Sequence, residues 1–457
     1  MNEKAQNTGN ALYAEVVDSD HLSSVSLPKD SDLTVTPELK ATLYLNTLMR
    51  QAKNFDLPSF QMDSDIDNLT GRIHQKDYRQ IKDSSLPQRV KMAFLPQNNG
   101  DRLKQAGAYY LELIKPLLST GRDSFVPTPE YIDTLCSMLA SQEGANIVLY
   151  YALSKTKSPK RTGSPDTIID MAEIEMLRHY ALMTRTAAEA GLHLHFTLVD
   201  ESDVLPDNDP LGLDPVEKEI NRMIAEQAIR HFDSSKYITI RSLKESVVDV
   251  LGGDFEAMFA QRYKQNWEAA YQQVVANEDT ALRIRAFTFL DIMPDASLLR
   301  FGIESEEEIQ RVRQLAKTDD LTTLPENLFH YLILQTAQFA AIMDLRSDAQ
   351  KKVLAEEDIR KYPEYNPHNR VYAGITNAPN RLSLKPHPKP SLGKKINPMH
   401  GLVLYNGENG TYIGIAEYAQ LKRDVHDSNL GEIVYANNNK PIFAVRNIFG
   451  GRREDNI

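Results

Sequence analysis

Cysteine is nearly absent: the 457 residues hold one, Cys136. A single thiol excludes an intramolecular disulfide and any metal site built on several thiolates. Its surroundings, Tyr131-Ile-Asp-Thr-Leu-Cys136-Ser-Met-Leu139, read as the packing face of a helix, so Cys136 is expected to be dispensable for chemistry. No stretch approaches the ~18–20 uninterrupted apolar residues of a membrane span. No apolar segment of the kind found in secretory signals follows the opening Met-Asn-Glu-Lys. The expectation is a cytoplasmic protein without a membrane partner. Bases are the minority, 52 Lys and Arg against 63 Asp and Glu, for a net charge of −11. That balance argues against a nucleic-acid partner, which needs clustered cations to neutralise phosphates. It leaves room for a local basic pocket that takes a small anion.

The length exceeds what one hydrophobic core usually organises. One large catalytic unit with an additional segment is expected. Residues 1–35 are rich in Ser, Asp and Asn and read as a flexible terminus. Residues 36–125 show helical spacing of apolar side chains, as in Leu45, Leu48 and Met49, then Leu103, Tyr110, Leu111 and Ile114. From 126 to 457 the texture is that of an α/β domain. The run 145–152 suits a strand buried on both faces. A helix follows from Asp166 to Gly191, with Gly191 as its cap. The run 192–200 predicts a second strand, Asp214 or Pro215 opens a helix to His231, and 236–241 predicts a third strand. Such alternation predicts parallel strands joined by helical crossovers, a Rossmann-like core. Residues 242–360 read as mostly helical, with helix starts at Glu306–Glu308 and a long amphipathic stretch at 328–343. Beyond Pro363 strands are expected at 370–376, 381–385, 401–405, 411–416 and 441–446. Gly407-Glu-Asn-Gly410 supplies a hairpin turn.

In an open parallel sheet the site lies beyond the carboxyl ends of the strands. Three places answer to that position. The loop after the first strand carries Lys155, Lys157, Lys160 and Arg161 among Ser and Gly. It suits a phosphate or carboxylate, or it is a solvated basic loop. After the second strand come Asp200 and Asp203, able to orient an amine, bind a hydroxyl or move protons. The intervening helix places Asp170 and Glu173 on one face, where they also favour the positive helix start. The third place is Arg381-Leu-Ser-Leu-Lys-Pro-His387-Pro, followed by Asn397-Pro-Met-His400-Gly. It gathers Arg, Lys and His for an anion with acid/base chemistry. His193 and His195 alternate on the second strand. A metal pair there lacks a third ligand at informative spacing, so a buried, hydrogen-bonded pair is expected. Leu251-Gly-Gly-Asp254 lacks the preceding strand of a dinucleotide fingerprint.

These same residues resemble the isocyanide (isonitrile) synthases of the pyoverdine/dityrosine biosynthesis family. That family has Arg-Leu-Ser-x-His-Pro followed by Thr-Pro-Trp-His-Gly-Val. This chain has Arg381-Leu-Ser383, His387-Pro and Asn397-Pro-Met-His400-Gly-Leu402. Lys157-Ser-Pro-Lys160, Asp170-Met-Ala-Glu173 and Asp200-Glu-Ser-Asp203 are similar to the family's upstream elements and keep their order. The likeness covers roughly 145–235 and 368–420. Met399 stands where the family has Trp, Ile169 where Pro is usual, and Lys160 where Asn is usual. The histidine after Arg381 lies two residues further on. The resemblance implies an enzyme that makes an isocyanide from an α-amino acid, tyrosine or tryptophan, with ribulose 5-phosphate as carbon donor. It implies no metal or bound cofactor. Under it His400, Asp170, Glu173 and Asp200 are candidates for proton transfer. Lys155, Lys157, Arg161, Asp203, Arg381, Ser383 and His387 are candidates for substrate binding. The alternatives are a ligand-binding or scaffold protein on the same fold, and an amino-acid-modifying transferase.

Overall fold

The computed structural model describes residues 36–54, 107, 110, 111, 129–151, 153, 162, 163, 168–202, 204, 215–276, 280–293, 298–318, 321–355, 361–366, 370–373, 383, 384, 401–408, 410–436 and 440–446. The chain runs α1 (Pro37–Asn54), α2 (Pro129–Ala140), β1 (Ala145–Tyr151), α3 (Met171–Glu189), β2 (Leu194–Asp200), α4 (Pro215–His231) and β3 (Ile238–Ser242). Then come α5 (Leu243–Leu251), α6 (Phe255–Val275), α7 (Ala281–Ile292), α8 (Glu306–Thr318) and α9 (Glu326–Ala355). After them follow β4 (Arg370–Ala373), β5 (Ser383–Leu384), β6 (Leu402–Asn406), β7 (Tyr412–Ala416) and α10 (Tyr418–Leu421), and the described elements close with β8 (Gly431–Tyr435) and β9 (Pro441–Arg446).

The first five strands form one sheet in the order β3-β2-β1-β4-β5, and each neighbouring pair is parallel. The three strands expected near 146–152, 192–199 and 236–241 are β1, β2 and β3, so the α/β, Rossmann-like reading holds. β1 explains its own composition. Ile147, Leu149 and Tyr151 face α3, whereas Val148 and Tyr150 face α5, α6 and α9. A strand covered on both sides cannot alternate apolar with polar residues.

The crossover from β3 to β4 is far longer than a single helix. Within it α6, α7, α8 and the first half of α9 gather a separate apolar cluster that includes Phe289, Leu290, Leu328 and Leu332. Leu251-Gly-Gly-Asp254 is a helix-to-helix link: Gly252 and Gly253 take φ of 75° and 85°, and Asp254 caps α6. A glycine pair supplies that left-handed backbone without strain. On the opposite side α1 lies against α4 and lends Ala41, Leu45, Leu48 and Ala52 to the main core. Tyr110 is also buried there, donating its hydroxyl hydrogen to the Met183 carbonyl at 2.6 Å.

The C-terminal strands form a second sheet, β7-β6-β9-β8. β6 and β7 are an antiparallel hairpin, closed where expected by the Gly410 amide on the Asn406 carbonyl at 2.7 Å. β8 was not among the strands expected from the sequence; it is an edge strand with only Ile433 and Val434 buried. No helix among the described residues is long and apolar enough to cross a membrane.

Between the two sheets runs α3, buried at every position from Met171 to Thr184. Its Tyr180 ring stacks on Phe196 of β2 at 4.4 Å. The opposite face carries Glu175, Arg178 and His179 toward the second sheet. Glu175 pairs with Arg178 at 3.1 Å and accepts from the Tyr405 hydroxyl at 3.3 Å. His179 Nδ1 lies 3.0 Å from the Glu175 carbonyl oxygen, and its ring meets Tyr412 edge-on at 5.0 Å. Burial, then the Glu175 charge, pushes the Tyr412 phenol well above its ordinary value.

One expectation fails. His193 is exposed and His195 only half-buried, so they are not an internal pair. His193 precedes β2, outside the covered length of the strand, and His195 is drawn below its ordinary pKa, chiefly by partial burial and then by the neighbouring His193. Among the described residues the buried histidine is His179.

Burial, reinforced by Arg178, lowers the His179 pKa from 6.5 to about 3. The unfolded chain therefore takes up a proton that the folded chain refuses between those values. Stability from this group is complete above pH 6.5 and lost as pH falls toward 3. Replacing His179 by Gln should reduce the acid sensitivity of urea-measured stability between pH 7 and pH 4 by on the order of 3 kcal/mol. Parallel pH profiles of wild type and variant would contradict a buried neutral imidazole.

Candidate functional site at the carboxyl edge of the parallel sheet

The strand order reverses direction at β1, because β2 and β3 lie on one side of it and β4 and β5 on the other. Open parallel sheets bind their ligands in the crevice that such a reversal marks, beyond the carboxyl ends of the strands. β1 ends in two tyrosines, and consecutive strand residues point to opposite faces. One phenol therefore stands on each side of the sheet at this edge.

On the α3 side Tyr151 donates to Glu173 Oε1 at 2.5 Å. The other oxygen of Glu173 accepts the Asp170 amide at 3.0 Å, and Asp170 Oδ1 accepts the amides of Ala172 and Glu173. This is a capping box, with each side chain satisfying an orphan amide of the helix start. Both carboxyl groups are 2% exposed, deeper than a cap requires. Burial first, and then the Glu173 charge, raises the Tyr151 phenol well above its ordinary value. It stays protonated and serves as a donor. Asp200 stands opposite Tyr151 in the β1–β2 register. Its Oδ1 accepts from the Leu153 amide at 3.0 Å, the Ser202 amide at 3.0 Å and the Ser202 hydroxyl at 2.5 Å. Asp200 thus ties the chain leaving β1 to the chain leaving β2.

On the α9 side the Arg346 guanidinium lies over the Tyr150 ring, 3.2 Å from its centre, and 3.7 Å from Glu201. Arg370, at the start of β4, approaches the same ring at 5.6 Å and donates to the Glu364 carbonyl oxygen. The Glu364 carboxylate is fully buried, accepts from Ser246 at 2.6 Å and lies 3.6 Å from Arg241.

Of the residues singled out in the sequence, Asp170, Glu173 and Asp200 lie at this edge, with Tyr151 linking Glu173 to the Asp200 position. Ser383 is on β5, opposite Tyr372 of β4. Lys155, Lys157, Arg161, Asp203, Arg381, His387 and His400 lie outside the described residues. Sequence reasoning passed over Tyr150 and Tyr151, although a tyrosine pair closing a buried strand is a readable signal. Arg346 gave none, since an arginine within a long helix is ordinarily solvated. Among the described residues no group of three or more His, Cys, Asp or Glu could hold a metal ion. Cys136 is buried with no second cysteine in the chain, in keeping with a packing role.

The three bonds to one Asp200 oxygen set the loop geometry at this edge. Asp200→Ala leaves those donors unmet and should lower stability by on the order of 2–3 kcal/mol. Asp200→Asn keeps the accepting oxygen and should lose roughly half as much. Equal urea midpoints for the two variants would show that the acceptor does not hold these loops.

No protein-family model matches the chain, and no curated protein does. Solved structures similar to it include the PvcA protein from Pseudomonas aeruginosa, a distant neighbour at 15% identity and a TM-score of 0.35. The match covers 69% of this chain and 90% of that one.

Proposed function

We propose that the chain is an isocyanide synthase, converting an α-amino acid, tyrosine or tryptophan first, with ribulose 5-phosphate as carbon donor. The substrate amine would add to the sugar ketone and lose water to form an imine. Proton transfers and carbon–carbon cleavage would then release the remainder of the sugar. That chemistry needs a held proton donor, carboxylates beside an amine and a site for an anion. The observation that supports the reading is a convergence. Asp170-Met-Ala-Glu173 and Asp200-Glu-Ser, two elements of the ordered motif series, meet at the carboxyl edge around a protonated Tyr151. Within this reading Tyr151 and Glu173 hold and move a proton, and Asp200 fixes the loops. Lys155, Lys157, Arg161 and Arg381 take anions, with Ser383, His387 and Asp203 beside them. His400 acts as the mobile acid or base.

A ligand-binding protein on the same fold is the second reading, and one observation favours it. Asp170 and Glu173 use oxygens on the helix cap, which is work a non-catalytic fold also needs.

The test is to incubate purified protein with ribulose 5-phosphate and each amino acid and to look for the isocyanide mass. Product is expected with one aromatic amino acid. His400→Asn should then keep ligand binding and lower turnover by ~10²–10⁴-fold. Arg381→Lys should weaken binding, because one ammonium does not reproduce a two-pronged guanidinium. Binding of either ligand without product would favour the second reading, and full activity in both variants would move the site upstream.

A further inference from the structure

We propose that Arg346, braced by Tyr150, is the binding residue of an oxyanion subsite on the α9 side of the crevice. The subsite takes a carboxylate or a phosphate of a small metabolite. The inference rests on the geometry of this edge and not on the reaction proposed above.

Arg346 sits on α9, reaching a sheet edge that neither its helix nor its sequence neighbours define. Its guanidinium carbon lies over Tyr150, 3.2 Å from the ring centre. A contact with a ring face leaves the N–H groups of the cation to find acceptors elsewhere. Those acceptors are poorly supplied. Nη1 meets the Met343 sulfur at 3.2 Å, a weak acceptor, and Glu201 at 3.7 Å, beyond hydrogen-bond reach. Nε is buried and has no acceptor. A guanidinium with a side chain only 16% exposed ordinarily satisfies most of its five donors.

The surrounding charge points the same way. Among the described residues three guanidinia, Arg241, Arg346 and Arg370, gather about two carboxylates, Glu201 and Glu364. Glu364 is fully buried and engaged with Ser246 and Arg241. Arg346 and Tyr150 stand at the carboxyl end of β1, beside the strand reversal where ligands of open parallel sheets bind. The carboxyl groups Asp170, Glu173 and Asp200 stand across the sheet, toward α3, whereas on the α9 side three guanidinia outnumber two carboxylates.

The test titrates the full-length protein with inorganic phosphate and, separately, with L-tyrosine, by calorimetry near neutral pH. Arg346→Gln should weaken binding of whichever probe the wild type takes by roughly tenfold to a hundredfold, the range for a charged hydrogen bond. Arg346→Lys keeps the charge facing Glu201 and should weaken it less; it is the variant read if Arg346→Gln loses its far-ultraviolet dichroism. Arg262→Gln, which breaks the Arg262–Asp348 pair between α6 and α9, should bind as wild type does. Loss of phosphate binding alone assigns the subsite to phosphate, and loss of tyrosine binding alone assigns it to a carboxylate. The proposal is overturned if the wild type binds neither probe, if the Arg346 variants bind at wild-type strength, or if Arg262→Gln loses as much as they do. Anion binding without isocyanide formation leaves this subsite standing and removes the reaction. Isocyanide formation undiminished in Arg346→Gln does the reverse.

Discussion

The two sheets are arranged around a charged helix, α3, that is buried from Met171 to Thr184. Glu175 and Arg178 meet at 3.1 Å with side chains 1% and 8% exposed, and burying two charges is costly unless they are paired and bonded further. The second sheet answers that demand. Tyr405 on β6 donates to the carboxylate, and Tyr412 on β7 lies against His179. Without those strands α3 would present a pair of charges and an imidazole to solvent on one face, as most surface helices do. With them, α3 must be wedged between two sheets, and its position is set by polar contacts on one face and by Tyr180 on Phe196 on the other.

The position of α3 in turn sets the carboxyl edge. Its first turn is anchored by the capping box of Asp170 and Glu173, and Glu173 is anchored by Tyr151 of β1. A shift of the helix would therefore move the one phenol–carboxylate contact at the crevice. Asp200 fixes the loops after β1 and β2 independently, through three bonds to one oxygen. The far side of the sheet is held differently. There α9 covers β1 with Ile342 and Leu345, and Arg346 stacks on Tyr150 where that apolar contact ends.

The parallel core was legible because strands buried on both faces are written as unbroken runs of β-formers, as in Ala145-Asn-Ile-Val-Leu-Tyr-Tyr151. The end of α3 was legible through Gly191, whose φ is 73°, whereas its start, expected at Asp166, comes at Met171 behind the Asp170 cap. The strand runs and the glycine are local signals, set by the few residues around them. What escaped was non-local. β8 pairs only with β9 and buries two residues, too few for a pattern. Glu175, Arg178 and His179 carry nothing in their spacing to say that a second sheet, more than two hundred residues later, would cover them. His193 and His195 misled for the same reason: alternation marks a shared face but does not say whether that face is covered. At the site, Asp200 was found from its place at the end of a strand, and Asp170 and Glu173 from their shared face on the helix between strands. Arg346 depends on the packing of α9, which its own sequence does not announce.

The central claim is that α3, buried from Met171 to Thr184, opens only when the whole fold opens. Native-state hydrogen exchange read at the amides of residues 174–187 tests it most directly. The expected result is exchange no faster than global unfolding allows, matching the slowest amides of β1 and β2. Exchange of these amides through a local opening, well before β1 and β2 lose protection, would contradict it.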